Sequence, residues 1–467
     1  MTAINWKEEV QKREAEILAD TQRFLQIKSV LTSTEKQEEP FGPGIAQALD
    51  FLLNKGKNDG FSVKNVDGYA GHIEAGEGKD LLGILCHVDV VPEGDGWSVD
   101  PYGGEIKDGK IFARGAIDDK GPTMAAYYAM KIVKDLGLPL SKRVRMIIGT
   151  DEESDWRCVD HYFNHEEMPT MGFAPDADFP IIFAEKGITD VEIRQQPIEG
   201  TKGSVQLTSF VSGRRYNMVP DLATAVLEFH SETDIKNKYD QFLKDQSLKG
   251  SITEKSGVYT LTLEGVSAHG SVPDKGKNAG LMLLRFLHTL ELDEQANQFV
   301  GYANAYLVQD ALGEKMGLNR KDEVTGDLTI NVGIMSYNQE EAGHFGLNIR
   351  YPVSAHIDDI IDTIKEKSES YQMTIKHFTD SKPHHVDQKH ELIQTLQKVY
   401  QEQTNEEPTL ISIGGGTYAR ALEAGVAFGP LFPGREEVAH EKDEYMVIED
   451  LLRATAIYAQ AIYELAK

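Results

Sequence analysis

Two polar residues, His87 and Asp89, follow the most apolar strand-like stretch of the chain. Six of the seven residues in 81–87 are apolar or glycine, a pattern typical of a strand buried on both faces. Because strand side chains alternate between faces, His87 and Asp89 are expected to project from one side, where the carboxylate can reach the imidazole or whatever it binds. The pair fits either a metal site or a buried histidine satisfied by an aspartate.

Adjacent carboxylates follow a second strand-like stretch. Asp118 and Asp119 lie between a predicted strand at 110–113 and a predicted helix at 123–136. Ligands of α/β proteins bind where strands end, so both aspartates are candidate ligands. The alternative is that one of them caps the helix, although a Gly-Pro pair at 121–122 already lies between them and the helix.

A third strand-like stretch, 143–148, leads into Asp151, Glu152 and Glu153. Three consecutive carboxylates at the end of a buried strand repel one another and raise one another's pKa unless a cation is bound there. A solvated surface loop is the competing interpretation. Asp176 adds another carboxylate before the next predicted strand, which favours the cation.

The middle and the end of the chain hold weaker signals. His269 lies between small residues, and Asn217 and Arg350 lie in segments that turn chemistry alone could explain. The adjacent histidines at 384–385 are predicted to belong to a linker. The three glycines at 414–416 lack the Lys and Ser/Thr of a phosphate loop, but their backbone N–H groups could bind a carboxylate.

Composition excludes several classes of protein. The 467 residues include 48 Lys and Arg against 75 Asp and Glu, a formal charge of −27. Such a chain repels phosphate backbones and anionic membrane surfaces, so no nucleic-acid or membrane partner is expected. Two cysteines are too few for a disulfide framework. Charges near the N-terminus and the lack of a long apolar run predict a cytoplasmic protein.

The order of the predicted elements indicates an α/β fold of more than one domain. A chain of this length exceeds one ordinary core. An amphipathic helix is predicted over 6–27, and alternating strands and helices follow it. We predict a catalytic domain with a mixed, mainly parallel sheet flanked by helices, formed by residues 1–186 and 382–467. An α+β domain over 187–381 is predicted to be inserted into it.

These motifs together resemble the dinuclear-zinc family of aminoacylases, carboxypeptidases and dipeptidases, and look most like its bacterial dipeptidases of the PepV type. The resemblance spans nearly the whole chain. It is carried by His87-Val-Asp89, Gly115-Ala-Ile-Asp-Asp-Lys-Gly121, Asp151-Glu-Glu153, Pro175-Asp176, Ala268-His-Gly270 and His440.

The resemblance implies a site for two zinc ions, which could also accept manganese or cobalt. One ion would be bound by His87, Asp118 and Asp176, and the other by His440, Asp118 and Glu153, with Asp118 shared. Two such ions polarise the scissile carbonyl and activate a water molecule.

The resemblance also implies roles for residues that bind no metal. Glu152 would be the general base and later the acid, and Asp89 would orient His87. The inserted domain would act as a lid whose His269 stabilises the oxyanion. The substrate carboxylate would be held by Asn217, Arg350, Gly415 and Gly416.

Three functions are compared on this basis. The first is a dipeptidase that hydrolyses unblocked dipeptides, and the second is a deacylase of N-acyl amino acids on the same metal site. The third is a metal-dependent binding protein without catalysis, which would have no use for Glu152. The insertion of about 195 residues is nearly twice the lid of relatives that dimerise through it, so a monomer is predicted.

Overall fold

The computed structural model describes residues 4–33, 38–198, 203–229 and 234–467. These residues divide into two compact units. The first unit comprises Met1–Ala184, His385–Ile411 and Thr417–Lys467, and the second comprises Glu185–His384 and Ser412–Gly416.

The described residues form helices in both units. They are α1 (Trp6–Gln11), α2 (Glu14–Leu25), α3 (Pro43–Asn58), α4 (Lys120–Asp135), α5 (Arg157–His165), α6 (Ile235–Asp245), α7 (Ala279–Leu287), α8 (Glu294–Tyr306), α9 (Ile357–Glu369), α10 (Glu391–Thr404) and α11 (Ile448–Ala466), with short 3₁₀ turns at Pro273–Lys275 and Tyr418–Ala421. Within the described ranges, no helix combines the length and the apolar composition needed to cross a bilayer.

The strands are equally spread along the chain. They are β1 (Ser62–Val66), β2 (Ala70–Ala75), β3 (Leu81–His87), β4 (Glu105–Lys107), β5 (Lys110–Phe112), β6 (Arg143–Gly149), β7 (Met171–Ala174), β8 (Ala177–Asp178), β9 (Ile181–Glu185), β10 (Gly187–Gln195), β11 (Val205–Ser212), β12 (Leu222–Phe229), β13 (Lys249–Lys255), β14 (Val258–Glu264), β15 (Lys321–Asp322), β16 (Gly326–Asp327), β17 (Thr329–Asn338), β18 (Ala342–Tyr351), β19 (Met373–Phe378), β20 (His384–His385), β21 (Leu410–Ile413), β22 (Gly425–Ala427), β23 (Pro430–Leu431) and β24 (Tyr445–Val447).

The first unit is built on a mixed sheet, so the predicted α/β class is confirmed. Its strands follow the order β1-β2-β6-β3-β7-β22-β9. Pairing is parallel from β6 through β22 and antiparallel at both sides of this centre. Every residue of β3 is buried, as its run of apolar residues predicts. The carboxyl ends of β3, β6 and β7 therefore lie side by side.

Two late segments complete the core of the first unit. Helix α11 packs along α4, and 13 of its 19 residues are buried. At its end, the Ala466 carbonyl accepts hydrogen bonds from the backbone N–H groups of Ser141 and Lys142, at 2.7 and 3.0 Å. The segment that leads into β6 is thus bound to the last turn of α11.

The second unit contains an eight-stranded sheet in the order β13-β14-β12-β11-β17-β18-β10-β19. Neighbouring strands of this sheet all pair antiparallel within the described residues. Alternate residues of β10 are buried, which is typical of a sheet that covers its core with one face. Helices α6 to α9 contribute buried side chains to the same core.

Two predicted elements have different bounds in the structure. The single helix expected over 6–27 is two helices, because Arg13 N–H bonds to the carbonyl of Val10, three residues back, at 2.9 Å. This tighter turn interrupts the α-helical ladder. The apolar pattern of residues 223–230 also predicts a strand; it is observed as β12, and residue 230 lies outside the described residues.

Candidate metal centre

The ends of neighbouring strands bring one group of three potential ligands together. His87 ends β3, Asp176 follows β7, and Asp118 lies between β5 and α4. The His87 Nε2 atom is 3.0 Å from Asp118 Oδ1 and 3.7 Å from Asp176 Oδ1. The side chain of His87 is fully buried, so its ring is held in one position at the floor of the site.

A second group shares Asp118 with the first. His440 Nε2 is 3.0 Å from Asp118 Oδ2 and 3.1 Å from Glu153 Oε1. The ligand atoms of each group lie within 4.8 Å of one another. The two oxygens of Asp118 therefore face different imidazoles, which is the arrangement that a carboxylate bridging two cations requires. All five residues belong to the first unit.

The crowding of carboxylates and imidazoles shifts several pKa values in this cluster. Hydrogen bonds with Asp118 and Glu153 raise the pKa of His440 to about 11. Burial and the charge of Asp118 raise the pKa of Asp176 to about 6 against the opposing effect of His87. Burial also raises the pKa of Glu152, and Asp176 adds to this. Two imidazoles and several carboxylates within this small space suit divalent cations such as zinc, so the residues present fit a metal pair.

Asp89 contacts its neighbours differently from the sequence-based prediction. The His87 Nδ1 atom donates to the backbone carbonyl of Asp89 at 3.0 Å, whereas the nearest carboxylate oxygen is 3.5 Å away. This bond leaves Nε2 as the ligand atom of the ring. The Asp89 carboxylate instead accepts the backbone N–H groups of Glu152 and Glu153, at 3.2 and 3.0 Å. Asp89 thus holds the loop that carries both glutamates.

Asp119, a candidate ligand in the sequence, lies outside both groups. Its Oδ2 atom accepts the backbone N–H of His87 at 3.1 Å and the hydroxyl of Thr123 at 3.0 Å. The side chain is completely buried. Asp119 occupies the N-cap position of α4, although its side chain caps no backbone N–H of that helix. Asp119 ties the end of β3 to the first turn of α4.

Asp151 has different contacts from the two glutamates that follow it. Its buried carboxylate accepts the Arg157 Nε at 2.9 Å and the Ser154 hydroxyl at 2.6 Å. These bonds close the turn between β6 and α5. Among Asp151, Glu152 and Glu153, only Glu153 belongs to a group of potential metal ligands, which it forms with Asp118 and His440.

A buried ion pair behind the site was not predicted from the sequence. Arg114 Nη1 donates to Glu444 Oε2 at 2.6 Å, and both side chains are at most 2% exposed. Arg114 Nη2 also donates to the carbonyl of His440 at 3.1 Å. Glu444 Oε1 accepts the backbone N–H groups of Ile117 and Asp118, at 3.0 and 3.3 Å. The pair therefore connects the backbones of two potential ligands.

The remaining predicted site residues lie in the second unit. Arg350 Nη1 donates to the carbonyl of Gly414 at 3.1 Å, which brings Arg350 beside the segment that contains Gly415 and Gly416. The backbone carbonyl of Asn217 accepts the N–H of Gly270 at 2.7 Å, directly after His269. Burial and the charge of Arg350 lower the pKa of His269. These residues thus form one neighbourhood within that unit.

A protein-family model described as peptidase family M20/M25/M40 matches residues 83–464. This range contains every residue of both ligand groups. A protein of Bacillus subtilis (strain 168) named "Putative dipeptidase YtjP" is 55% identical over 467 residues, which are 99% of this chain and 100% of that protein.

Solved structures of more distant proteins share the fold. Aminopeptidase PepT from Bacillus cereus has a TM-score of 0.58 at 15% identity, covering 97% of this chain and 99% of that one. Human carnosine dipeptidase 1 has a TM-score of 0.57 at 14% identity, covering 98% of each chain. At these identities the comparison concerns the fold alone.

Proposed function

Because the chain belongs to peptidase family M20/M25/M40, we propose that it is a metal-dependent dipeptidase that hydrolyses unblocked dipeptides. The observation that carries the metal site is Asp118, whose two oxygens each lie 3.0 Å from a different imidazole. The name of the Bacillus subtilis relative supports the substrate class. The metallopeptidase class follows from the family itself.

The proposed ligands are His87, Asp118 and Asp176 for one ion and His440, Asp118 and Glu153 for the other. When bound, such a pair polarises the scissile carbonyl and lowers the pKa of a water molecule. Glu152 takes the proton from that water and passes it to the leaving amine. Burial and nearby carboxylates raise the pKa of Glu152, which suits a group that must accept and then release a proton.

The position of Glu152 depends on a rigid loop. Asp89 accepts the backbone N–H of Glu152, and Asp151 closes the turn through Arg157. A general base must be held within hydrogen-bond reach of the proton that it removes. We therefore assign Asp89 and Asp151 to positioning rather than to proton transfer.

We propose the second unit, predicted as the inserted domain, to be the lid of the enzyme. His269 stabilises the oxyanion, and Arg350 binds the substrate carboxylate together with Asn217, Gly415 and Gly416. The lowered pKa of His269 supports this role, because a neutral imidazole donates one hydrogen bond without bringing a charge. A guanidinium group suits bidentate carboxylate binding.

The decisive experiment is a substrate panel on metal-stripped protein reconstituted with zinc or manganese. It contains a free dipeptide, its N-acetylated form and the matching tripeptide. Cleavage of the free dipeptide alone is expected. Preference for the acetylated compound would instead identify a deacylase, and no cleavage with two metals bound would refute the enzymatic proposal.

Glu152→Gln tests the assigned base on the same substrates. Loss of general acid-base catalysis should lower kcat by about 10²- to 10⁴-fold, while the metal content stays at the wild-type value. Asp155→Asn is the matched control, because Asp155 lies on the same loop with a side chain 76% exposed. Activity of Glu152→Gln within a few-fold of the control would contradict the assignment. His269→Ala should also lower kcat without metal loss.

Three finer points complete the proposal. The bound metal is zinc, the donor set being one that zinc accepts. The protein acts as a monomer, because its large insertion can serve as a lid without a partner. Its location is cytoplasmic, and the burial of two free thiols, Cys86 and Cys158, supports this. Metal analysis of purified protein and sedimentation measure the first two.

A further inference from the structure

A third group of potential ligands lies away from the proposed catalytic ligands, where the turn between β1 and β2 meets α5. Asp67 and Gly68 have positive φ angles, 55° and 73°, and Tyr69 N–H bonds to the carbonyl of Val66 at 3.0 Å. These features define a tight hairpin turn whose Asp-Gly sequence tolerates the left-handed conformation. The turn presents the Asp67 carboxylate at its tip.

Helix α5 supplies two imidazoles to the same place. His161 and His165 are separated by one helical turn, so their side chains share a face. Asp67 Oδ2 is 2.9 Å from His161 Nε2. One ligand atom from each of the three residues lies within 4.8 Å of the other two. Nitrogen and oxygen ligands of a tetrahedral zinc ion lie about 3.4 Å apart, so side-chain rotations must bring the three ligand atoms closer together.

The tautomer of His165 already suits metal binding. Its Nδ1 atom lies 2.8 Å from the carbonyl of His161, and since a carbonyl only accepts, Nδ1 carries the proton. The other ring nitrogen, Nε2, then has its lone pair available. Metal-binding histidines commonly donate the ring N–H that does not face the metal to a backbone carbonyl, as Nδ1 of His165 does here.

The third group is also held in place by aromatic packing. The ring of His161 stacks on Tyr69, with centroids 4.3 Å apart and an angle of 22° between planes. The carbonyl of Tyr69 accepts the hydroxyl of Thr150, at the end of β6. Asp67 and His165 are exposed and His161 is half-buried. An ion at this position can therefore be reached from solvent and can complete its coordination with water.

We propose that Asp67, His161 and His165 bind a third metal ion, which fastens the β1–β2 turn to α5. Two imidazoles and one carboxylate favour zinc, nickel or copper over magnesium or calcium, which prefer oxygen ligands. The site lies within the first unit and uses none of the proposed catalytic ligands. It therefore stands independently of the proposed function.

The test counts metal ions bound at equilibrium. Wild-type protein and variants are dialysed against the same buffered Zn²⁺ concentration, and bound zinc is measured by atomic emission. His165→Ala and Asp67→Asn should each bind one equivalent less than the wild type. Asn is tolerated at a positive φ, so Asp67→Asn preserves the turn even if the other variant is disturbed. His377→Ala, which removes an exposed imidazole of the second unit, should match the wild type.

A second readout separates this site from the catalytic one. Zinc should raise the Tm of the wild type further than that of His165→Ala, while both hydrolyse a substrate equally at two equivalents of metal. Equal zinc content in the wild type, His165→Ala and Asp67→Asn would overturn the proposal. Loss of an equivalent in His377→Ala as well would also overturn it. An inactive enzyme that still shows the difference in zinc would refute the proposed function alone.

Discussion

Replacing Glu444 by glutamine should destabilise the first unit by several kcal/mol and weaken metal binding. The backbone N–H groups of Ile117 and Asp118 reach Glu444 Oε1, and a glutamine oxygen can still accept them. The other oxygen lies 2.6 Å from Arg114 Nη1. In Glu444→Gln an amide NH₂ takes that place, so two donors face each other beside an unpaired buried charge.

The magnitude follows from the burial of the pair. Arg114 and Glu444 are 2% and 0% exposed, so solvent does not screen them. Removing one partner of a buried pair costs about 3–5 kcal/mol, because the remaining charge stays buried. For a unit of this size the loss corresponds to a Tm lower by roughly 6–20 °C. Because Arg114 also binds the carbonyl of His440, the affinity for metal should fall about 10- to 100-fold.

Thermal unfolding followed by circular dichroism, with and without zinc, measures the first effect, and competition with a chromophoric chelator measures the second. Glu423→Gln is the control, because Glu423 is exposed. A Tm within 2 °C of this control would show that the ion pair contributes little stability. Unchanged metal affinity at a clearly lowered Tm would refute its role in positioning His440 and Asp118.

Two further predictions concern pH. Removing the metal with a chelator should lower the Tm more at pH 8 than at pH 6. Burial raises the pKa of Asp176 to about 6 and also raises the pKa of Glu152. The metal-free folded protein therefore binds more protons than the unfolded chain, and its stability falls as the pH rises. Burial and Arg145 lower the pKa of His72 from 6.5 to about 4. The unfolded chain then binds the proton first, so stability should fall by about 3 kcal/mol between pH 6.5 and 4. His72→Gln should flatten that slope in urea unfolding; an unchanged slope would contradict the assignment.

Local pattern was sufficient to predict the buried strand that ends at His87 and the carboxylates that follow neighbouring strands. Those predictions depend only on strand burial and on the shared edge of parallel strands. The contacts of Asp89 and Asp119 were not predictable in the same way. Alternation of side chains indicates a direction, whereas the backbone N–H groups that these carboxylates accept come from the loop after β6 and the end of β3.

The Arg114–Glu444 pair shows the limit of sequence reasoning most clearly. Its members are 330 positions apart, and neither lies in a pattern that marks it as buried. Charged residues are mostly exposed, so composition predicts a surface position for both. The available signal was that Arg114 is close in sequence to Asp118 and Glu444 is close to His440. This signal is informative only once Asp118 and His440 are known to lie in one site.

The packing of α11 has a consequence for the order of events during synthesis. His440 and α11 are synthesised long after His87, α1 and α4, yet they complete a proposed centre that begins with His87 and a core that begins with α1 and α4. A nascent chain therefore carries separate ligands but no assembled centre. Hydrolytic activity should appear only once His440 and α11 have been synthesised, so copies terminated before these residues should not act on peptides.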